Sequence, residues 1–187
     1  VAVMGMGMGR NEDTLDLVRH LYRGKMRGLV LDADGLYALA AAPMNFKNNG
    51  LRAVLTPHPK EMAVLLNSTT AEVQADRLAA VRAASAKYGA VVVLKGAKTL
   101  VADGNKVYLN STGNAGMATG GSGDVLSGIV GSLLAQGLPP VKAAVLGVYV
   151  HGLAGDIAKE KVGEYGMTAG DLPQNLPYAF LNLSSPA

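Results

Sequence analysis

The chain is 187 residues long, 49% hydrophobic and 17% charged, with 24 glycines, no cysteine and a formal net charge of +3. That balance belongs to a globular chain with one substantial core and excludes disordered and collagen-like classes. The lack of cysteine excludes disulfide scaffolds, thiolate zinc sites and cysteine nucleophiles, and the scattered basic charge suits anionic small molecules better than nucleic acid.

Val1–Met4 reads as a short apolar strand that runs into the glycine turn GMGMG at Gly5–Gly9. A helix is predicted over Glu12–Tyr22, with Asn11 as its cap and Leu15, Val18, Leu21 and Tyr22 on one face. Gly28–Asp32 is a second strand, apolar enough for burial on both faces, and Leu36–Ala42 a short helix stopped by Pro43. Arg52–Leu55 is a third strand, broken by TPHP at Thr56–Pro59, and Glu61–Leu66 a helical turn or two. Thr70 is placed to cap one long helix through Lys87, which Gly89 closes. Ala90–Leu94 is the most strand-like run, and Thr99–Ala102 with Lys106–Leu109 flank the hairpin signal Asp103-Gly104-Asn105. After the loop Asn110–Gly123, helices are predicted over Asp124–Gln136, Val141–Lys159 and part of Leu172–Leu183.

Alternation of strands and helices predicts an α/β fold with a mainly parallel sheet covered on both faces. No linker or repeat divides the chain, so residues 1–187 are expected to form one domain. Because the chain opens on Val inside a buried-looking strand, that domain is expected to be N-terminally incomplete. Glycine and polar residues interrupt Val125–Leu138 and Ala143–Ala158, so no membrane span is expected, and the N-terminus has no basic segment of a signal peptide. These features suit a cytoplasmic protein.

The segment NSTGNAGMATGGSGD (Asn110–Asp124) sets five glycines and small hydroxylated residues directly before an apolar helix. Such a loop presents open backbone N–H groups at a helix N-terminus, where the macrodipole also favours negative charge. It is not a Walker A motif, since no GK[ST] follows, and it does not follow the first strand as a Rossmann fingerprint would. A carboxylate at Asp124 repels a phosphate, so simple anion binding gives no reason for it. It fits a base that deprotonates a hydroxyl attacking a phosphoryl group; a capping or first-turn acid is the plainer alternative.

The loop resembles the GxGD anion hole of the ribokinase-like superfamily, and NAGMATGGSGDVLSGIVGSLLAQG is similar to the signature of the ADP/ATP-dependent NAD(P)H-hydrate dehydratases. Three further segments agree in order. GMGMG at Gly5–Gly9 is similar to the family's GPGLG, LTPHPKEMAVLL at Leu55–Leu66 to its TPHPGE segment, and VVVLKGAKTLVA at Val91–Ala102 to its LKGAGT segment. DADGL at Asp32–Leu36 and MTAGDL at Met167–Leu172 add weaker likeness. The resemblance implies a ribokinase-like three-layer α/β/α sandwich, here without its N-terminal strands.

The resemblance also implies a function, and a role for each matching residue. A nucleotide, ADP sooner than ATP, phosphorylates the hydroxyl of the S epimer of hydrated NADH or NADPH, and elimination of phosphate restores the ring; Mg2+ accompanies the nucleotide. Asp124 falls on the catalytic aspartate, and Gly7 and His58 join it on the hydrated dinucleotide. Lys95, Gly96, Ala97, Lys98 and Thr99 fall on one nucleotide segment, and Asn114, Ala115, Gly116, Met117, Gly120, Gly121, Ser122 and Gly123 on the other. Metal ligands are unassigned, with Glu61 a weak candidate for organising the magnesium. Lys98 and Lys60 stand where the family has glycine, and Met6 where it has proline. Asp32 and Asp34 read as satisfied strand-end acids sooner than as site residues, and His151 as a core histidine. Relatives tend to self-associate, so a homo-oligomer without nucleic-acid or membrane partners is expected. The alternative is a ribokinase-like kinase that phosphorylates a small alcohol with the same anion hole.

Overall fold

The computed structural model describes residues 1–184. Six strands form one sheet in the order β1 (Ala2–Met4), β2 (Gly28–Leu31), β3 (Arg52–Leu55), β4 (Val91–Leu94), β5 (Leu100–Asp103) and β6 (Lys106–Leu109). The first four are parallel neighbours, and β5 and β6 complete the sheet as an antiparallel hairpin. The apolar runs explain the placement. All four residues of β2 and of β4 are buried, because helices cover both faces of the sheet.

On one face lie α1 (Glu12–Arg23), α2 (Ala33–Ala41), α3 (Pro59–Leu66), α4 (Thr70–Ala75) and α5 (Arg77–Tyr88), packed on Leu29, Leu31, Leu55, Val92 and Leu94. On the other lie α6 (Ser122–Ala135), α7 (Pro140–Gly166) and α8 (Asp171–Ser184), packed on Val30, Val54, Val93 and Val101. The alternation of β2 side chains between the two cores is the period of two that a strand imposes. The expected three layers with a mainly parallel sheet are present.

Most expected elements match within a residue or two, and the departures have local causes. The predicted single helix from Thr70 to Lys87 is two. Thr69, not Thr70, caps α4 through a capping box with Glu72, and Asp76 breaks the helix with φ −142° and ψ 80° while its side chain accepts from Ala79 N to recap α5. Gly89 closes α5 in the left-handed conformation, as expected. Helix α6 starts two residues before the predicted Asp124, on the left-handed Gly121.

Helix α7 runs further than Lys159 and carries a non-helical Gly163 (φ 71°) near its end. It also corrects the expectation about membrane spans: by length and composition alone, this 27-residue helix is apolar enough to cross one. Its apolar residues instead fill the core against α6, α8 and the sheet, where Ala143, Ala144, Val150, Ala154 and Ala158 are buried.

Candidate active site

Ligands of open α/β folds bind beyond the carboxyl ends of the parallel strands. Here the residues following β2, β3 and β4 are Asp32, Thr56 and Lys95, so three adjacent strand ends present an acid, a hydroxyl and an ammonium in a row. Lys95 Nζ donates to Asp32 Oδ1 at 2.6 Å, and Ser127 Oγ of α6 donates to Asp32 Oδ2 at 2.8 Å. Thr56 Oγ1 lies 3.2 Å from Ser127 Oγ. Glu61 Oε2 lies 3.8 Å from Lys95 Nζ, close enough for charge attraction and too far for a hydrogen bond.

The glycine-rich loop closes over this row. A Cβ at Gly123 would stand 3.2 Å from Lys95 Nζ and 3.7 Å from Asp32 Oδ2, so α6 begins directly against the ion pair. Gly121 caps α6 without any side-chain cap hydrogen bond, which removes the capping role for Asp124. Asp124 occupies the third position of the helix with its side chain on the exposed surface. The N–H groups of Gly123 and Asp124, in the first turn, have no acceptor within the helix, which is the condition for anion binding at a helix N-terminus.

Ser122, in the expected nucleotide segment, turns its side chain inward. It is buried, with Oγ 3.4 Å from His151 Nε2, and His151 Nε2 donates to its carbonyl oxygen at 3.0 Å. His151 is thus a core residue, as expected, and it anchors the loop from behind. Burial pushes its imidazole down to about 4, a backbone bond to Ser122 opposes this, and the positive charge of Lys95 adds to it.

Helix α7 holds the rest of the loop. Asp156 accepts from Gly113 N (2.8 Å) and Asn114 Nδ2 (3.0 Å), and Thr112 Oγ1 donates to Tyr149 O (2.8 Å). Asn114 in turn caps the short 3-10 turn Ala115–Met117, and the Met117 sulfur packs against Gly113 and Gly155. Ala115 and Gly120 stay at the surface.

The Lys95–Thr99 turn is held by Arg77, whose Nη1 donates to Ala97 O at 2.7 Å and whose Nη2 reaches Leu94 O and Lys95 O. Burial lowers the Arg77 pKa. Thr99 Oγ1 closes the turn on Gly96 O. Lys98 sits at φ 55°, the left-handed region in which glycine is the easy residue. The lysine therefore bears the strain of this turn.

His58 proves to be a cap as well as a surface group. Its Nδ1 accepts from Lys60 N and Glu61 N while Glu61 Oε2 accepts from His58 N, a capping box at the start of α3. The ring remains 46% exposed, and its Nε2 lies 3.4 Å from Glu61 Oε1, so Glu61 meets both the backbone and the ring of His58. The Gly5–Gly9 turn is tied by Asp34, which accepts from Gly9 N at 2.9 Å and pairs with Arg10 at 3.1 Å, while Arg10 lies over the Tyr37 ring. Gly7 is exposed at its tip.

Among the described residues no three His, Cys, Asp or Glu side chains converge on one point, so a magnesium ion would have to share ligands with nucleotide phosphates, its common habit. A cavity of about 230 Å³ between α7 and α8 and an apolar groove of about 390 Å³ between α6 and α8 are lined by none of the expected site residues.

Comparison with known proteins gives one consistent result. The family model for NAD(P)H-hydrate dehydratase matches residues 1–178. A bifunctional NAD(P)H-hydrate repair enzyme of Moorella thermoacetica is 48% identical over 185 residues, covering 98% of this chain and 35% of that protein. An ADP-dependent (S)-NAD(P)H-hydrate dehydratase of Neisseria meningitidis serogroup B is 49% identical over 175 residues, covering 91% of this chain and 59% of that protein. Among solved structures, an ADP/ATP-dependent NAD(P)H-hydrate dehydratase from Bacillus subtilis, co-crystallized with ATP and Mg2+, superposes with a TM-score of 0.87 at 28% identity. That match covers 96% of this chain and 65% of the other. The chain thus spans less than two thirds of the length of each. The fold is ribokinase-like. With its fold, its glycine loop and its ordered motifs in agreement with the match over residues 1–178, the chain belongs to the NAD(P)H-hydrate dehydratase family.

Proposed function

We propose that this chain is the catalytic domain of an ADP-dependent NAD(P)H-hydrate dehydratase, acting on the S epimer of hydrated NADH or NADPH. The single observation that carries this reading is Asp124, exposed in the first turn of α6 and directly after Gly123, which abuts the Lys95–Asp32 pair.

Hydroxide is a poor leaving group from the hydrated ring, and phosphate is a good one. Asp124 takes the proton of the ring hydroxyl as that oxygen attacks the terminal phosphorus of ADP, and the P–O bond to AMP breaks. The first-turn N–H groups of α6, within the Gly121–Asp124 segment, stabilise charge on the phosphoryl group in transfer. The phosphate ester then leaves the ring carbon, a proton leaves the neighbouring carbon, and the double bond of the dihydropyridine returns. Magnesium bound with the nucleotide neutralises phosphate charge. The half-exposed His58 ring and the Gly7 turn meet the hydrated dinucleotide, while Lys95–Thr99, Asn114–Met117 and Gly120–Gly123 surround the nucleotide, the last two segments mainly through backbone. A cytoplasmic location and self-association belong to the same reading.

Incubation of hydrated NADH with Mg2+ and ADP or ATP, followed by the absorbance of the reduced ring, tests this directly. ADP is expected to restore absorbance. Asp124→Asn is expected to lower the rate by about 10³-fold while nucleotide still binds. A variant with full activity would remove Asp124 as the base, and turnover of ATP with a small alcohol but not with hydrated NADH would establish the kinase alternative.

A further inference from the structure

Resting on that reading, we infer that Asp32 is a positioning residue that fixes the Lys95 ammonium beneath the phosphate-binding loop. Asp32 is 1% exposed and takes three donors: Ala33 N (2.9 Å), Lys95 Nζ (2.6 Å) and Ser127 Oγ (2.8 Å). The bond to Ala33 N caps α2, and a cap needs nothing more. The other two donors come from 63 and 95 residues away, one on each side of the glycine loop in sequence.

Two backbone details show that this placement has a cost. Ala33, directly after Asp32, is held at φ 44°, an uncommon value for a residue with a Cβ. Gly5 lies so close beneath that any Cβ there would overlap the carbonyl oxygen of Asp32. Strain of this kind persists where the surroundings over-determine it, and it gathers at functional sites.

Lys95 is the group that gains. Its long stem is flexible, and an ammonium left to wander stabilises a transferring phosphoryl poorly. Asp32 occupies one of its three N–H directions; among the described residues no other hydrogen bond to Nζ is present, and its side chain is 18% exposed toward the loop. Glu61 at 3.8 Å adds attraction without taking a donor. Two N–H directions are left for phosphate oxygens. A salt bridge buried for stability alone gains little over apolar packing, so its position under Gly123 carries the functional reading.

A double-mutant cycle on the intact protein tests this. Asp32→Asn keeps shape and removes charge; it is expected to lower kcat about tenfold or more and to leave KM for hydrated NADH within about twofold. Lys95→Met is expected to lose at least as much, and Asp32→Asn added to Lys95→Met nothing further. Additive losses, or a lower Tm with unchanged kcat, would overturn the assignment. Should Asp32→Asn fail to fold, Ser127→Ala removes only the support at Oδ2 and is expected to lower kcat about threefold without touching KM; an unchanged kcat there counts against it. ADP dissociation constants by calorimetry repeat the cycle without turnover. Non-additive losses of ADP affinity in a protein that regenerates no NADH would leave the assignment standing and sink the proposed reaction.

Discussion

The two glycine-rich loops of the site are built on opposite principles. Gly5–Gly9 takes its shape from its own backbone: Gly5, Gly7 and Gly9 all have positive φ, and the tether is a neighbouring strand-end turn through Asp34. The loop from Asn110 to Gly123 has only Gly113 and Gly121 at positive φ and is instead laid along α7, which holds it through Val148, Tyr149, His151 and Asp156. The first loop is encoded where it lies in the sequence. The second is encoded about forty residues downstream, as the separations of 37 to 43 residues for its ties to Val148, Tyr149 and Asp156 show. Glycine substitutions should therefore dominate in the first and helix substitutions in the second.

Gly5→Ala is the largest expected break. Strained φ and overlap with Asp32 O together should cost about 3 kcal/mol or more, read as a fall in the denaturation midpoint. An Ala variant of near-native stability would mean that the first loop is not set by its own backbone.

His151 gives the next effect, through pH. The folded ring stays neutral down to about 4, whereas the unfolded ring takes up a proton below its ordinary 6.5. The stabilising contribution is thus complete above pH 6.5 and is lost as pH falls toward 4, by about 3 kcal/mol in total. His151→Gln keeps a donor for Ser122 O and removes the titration, so its Tm should vary less with pH over that window. Equal slopes for the two proteins would show that His151 does not hold the second loop in neutral form.

Smaller still, Asp156→Asn should weaken ADP binding about tenfold by loosening Gly113 and Asn114, with little change in Tm. Calorimetric titration measures it, and unchanged affinity would detach the second loop's shape from α7.

Much of this fold was legible in the sequence because its signals are local. β2, β3, β4 and the hairpin announce themselves as short apolar runs between turn residues, and Asn11 caps α1 as its position predicts. The break at Asp76 was not legible, since a lone Asp inside a helical pattern carries no sign of whether it continues or recaps. In the candidate site, the Gly120–Asp124 motif and its family likeness marked the loop that the fold brings against the Lys95–Asp32 pair. The partners that give it shape were hidden: no motif singles out Asp156 or Arg77, and Asp32 reads as a satisfied strand-end acid until the fold brings Lys95 to it. The inward turn of the Ser122 hydroxyl was hidden for the same reason, because it depends on the arrival of α7.

The row of Asp32, Thr56 and Lys95 has a kinetic consequence. Each lies at the end of a different parallel strand, and parallel neighbours join only after a crossover has closed. Ser127 completes the row from still later in the chain. Helices and the β5–β6 hairpin can form from near neighbours, but the ammonium meets its carboxylate only when β2, β3 and β4 lie side by side, and Ser127 joins them only with α6 in place. On the proposed reading, an incompletely folded chain would have no phosphate site at all, and nucleotide binding would report the finished sheet.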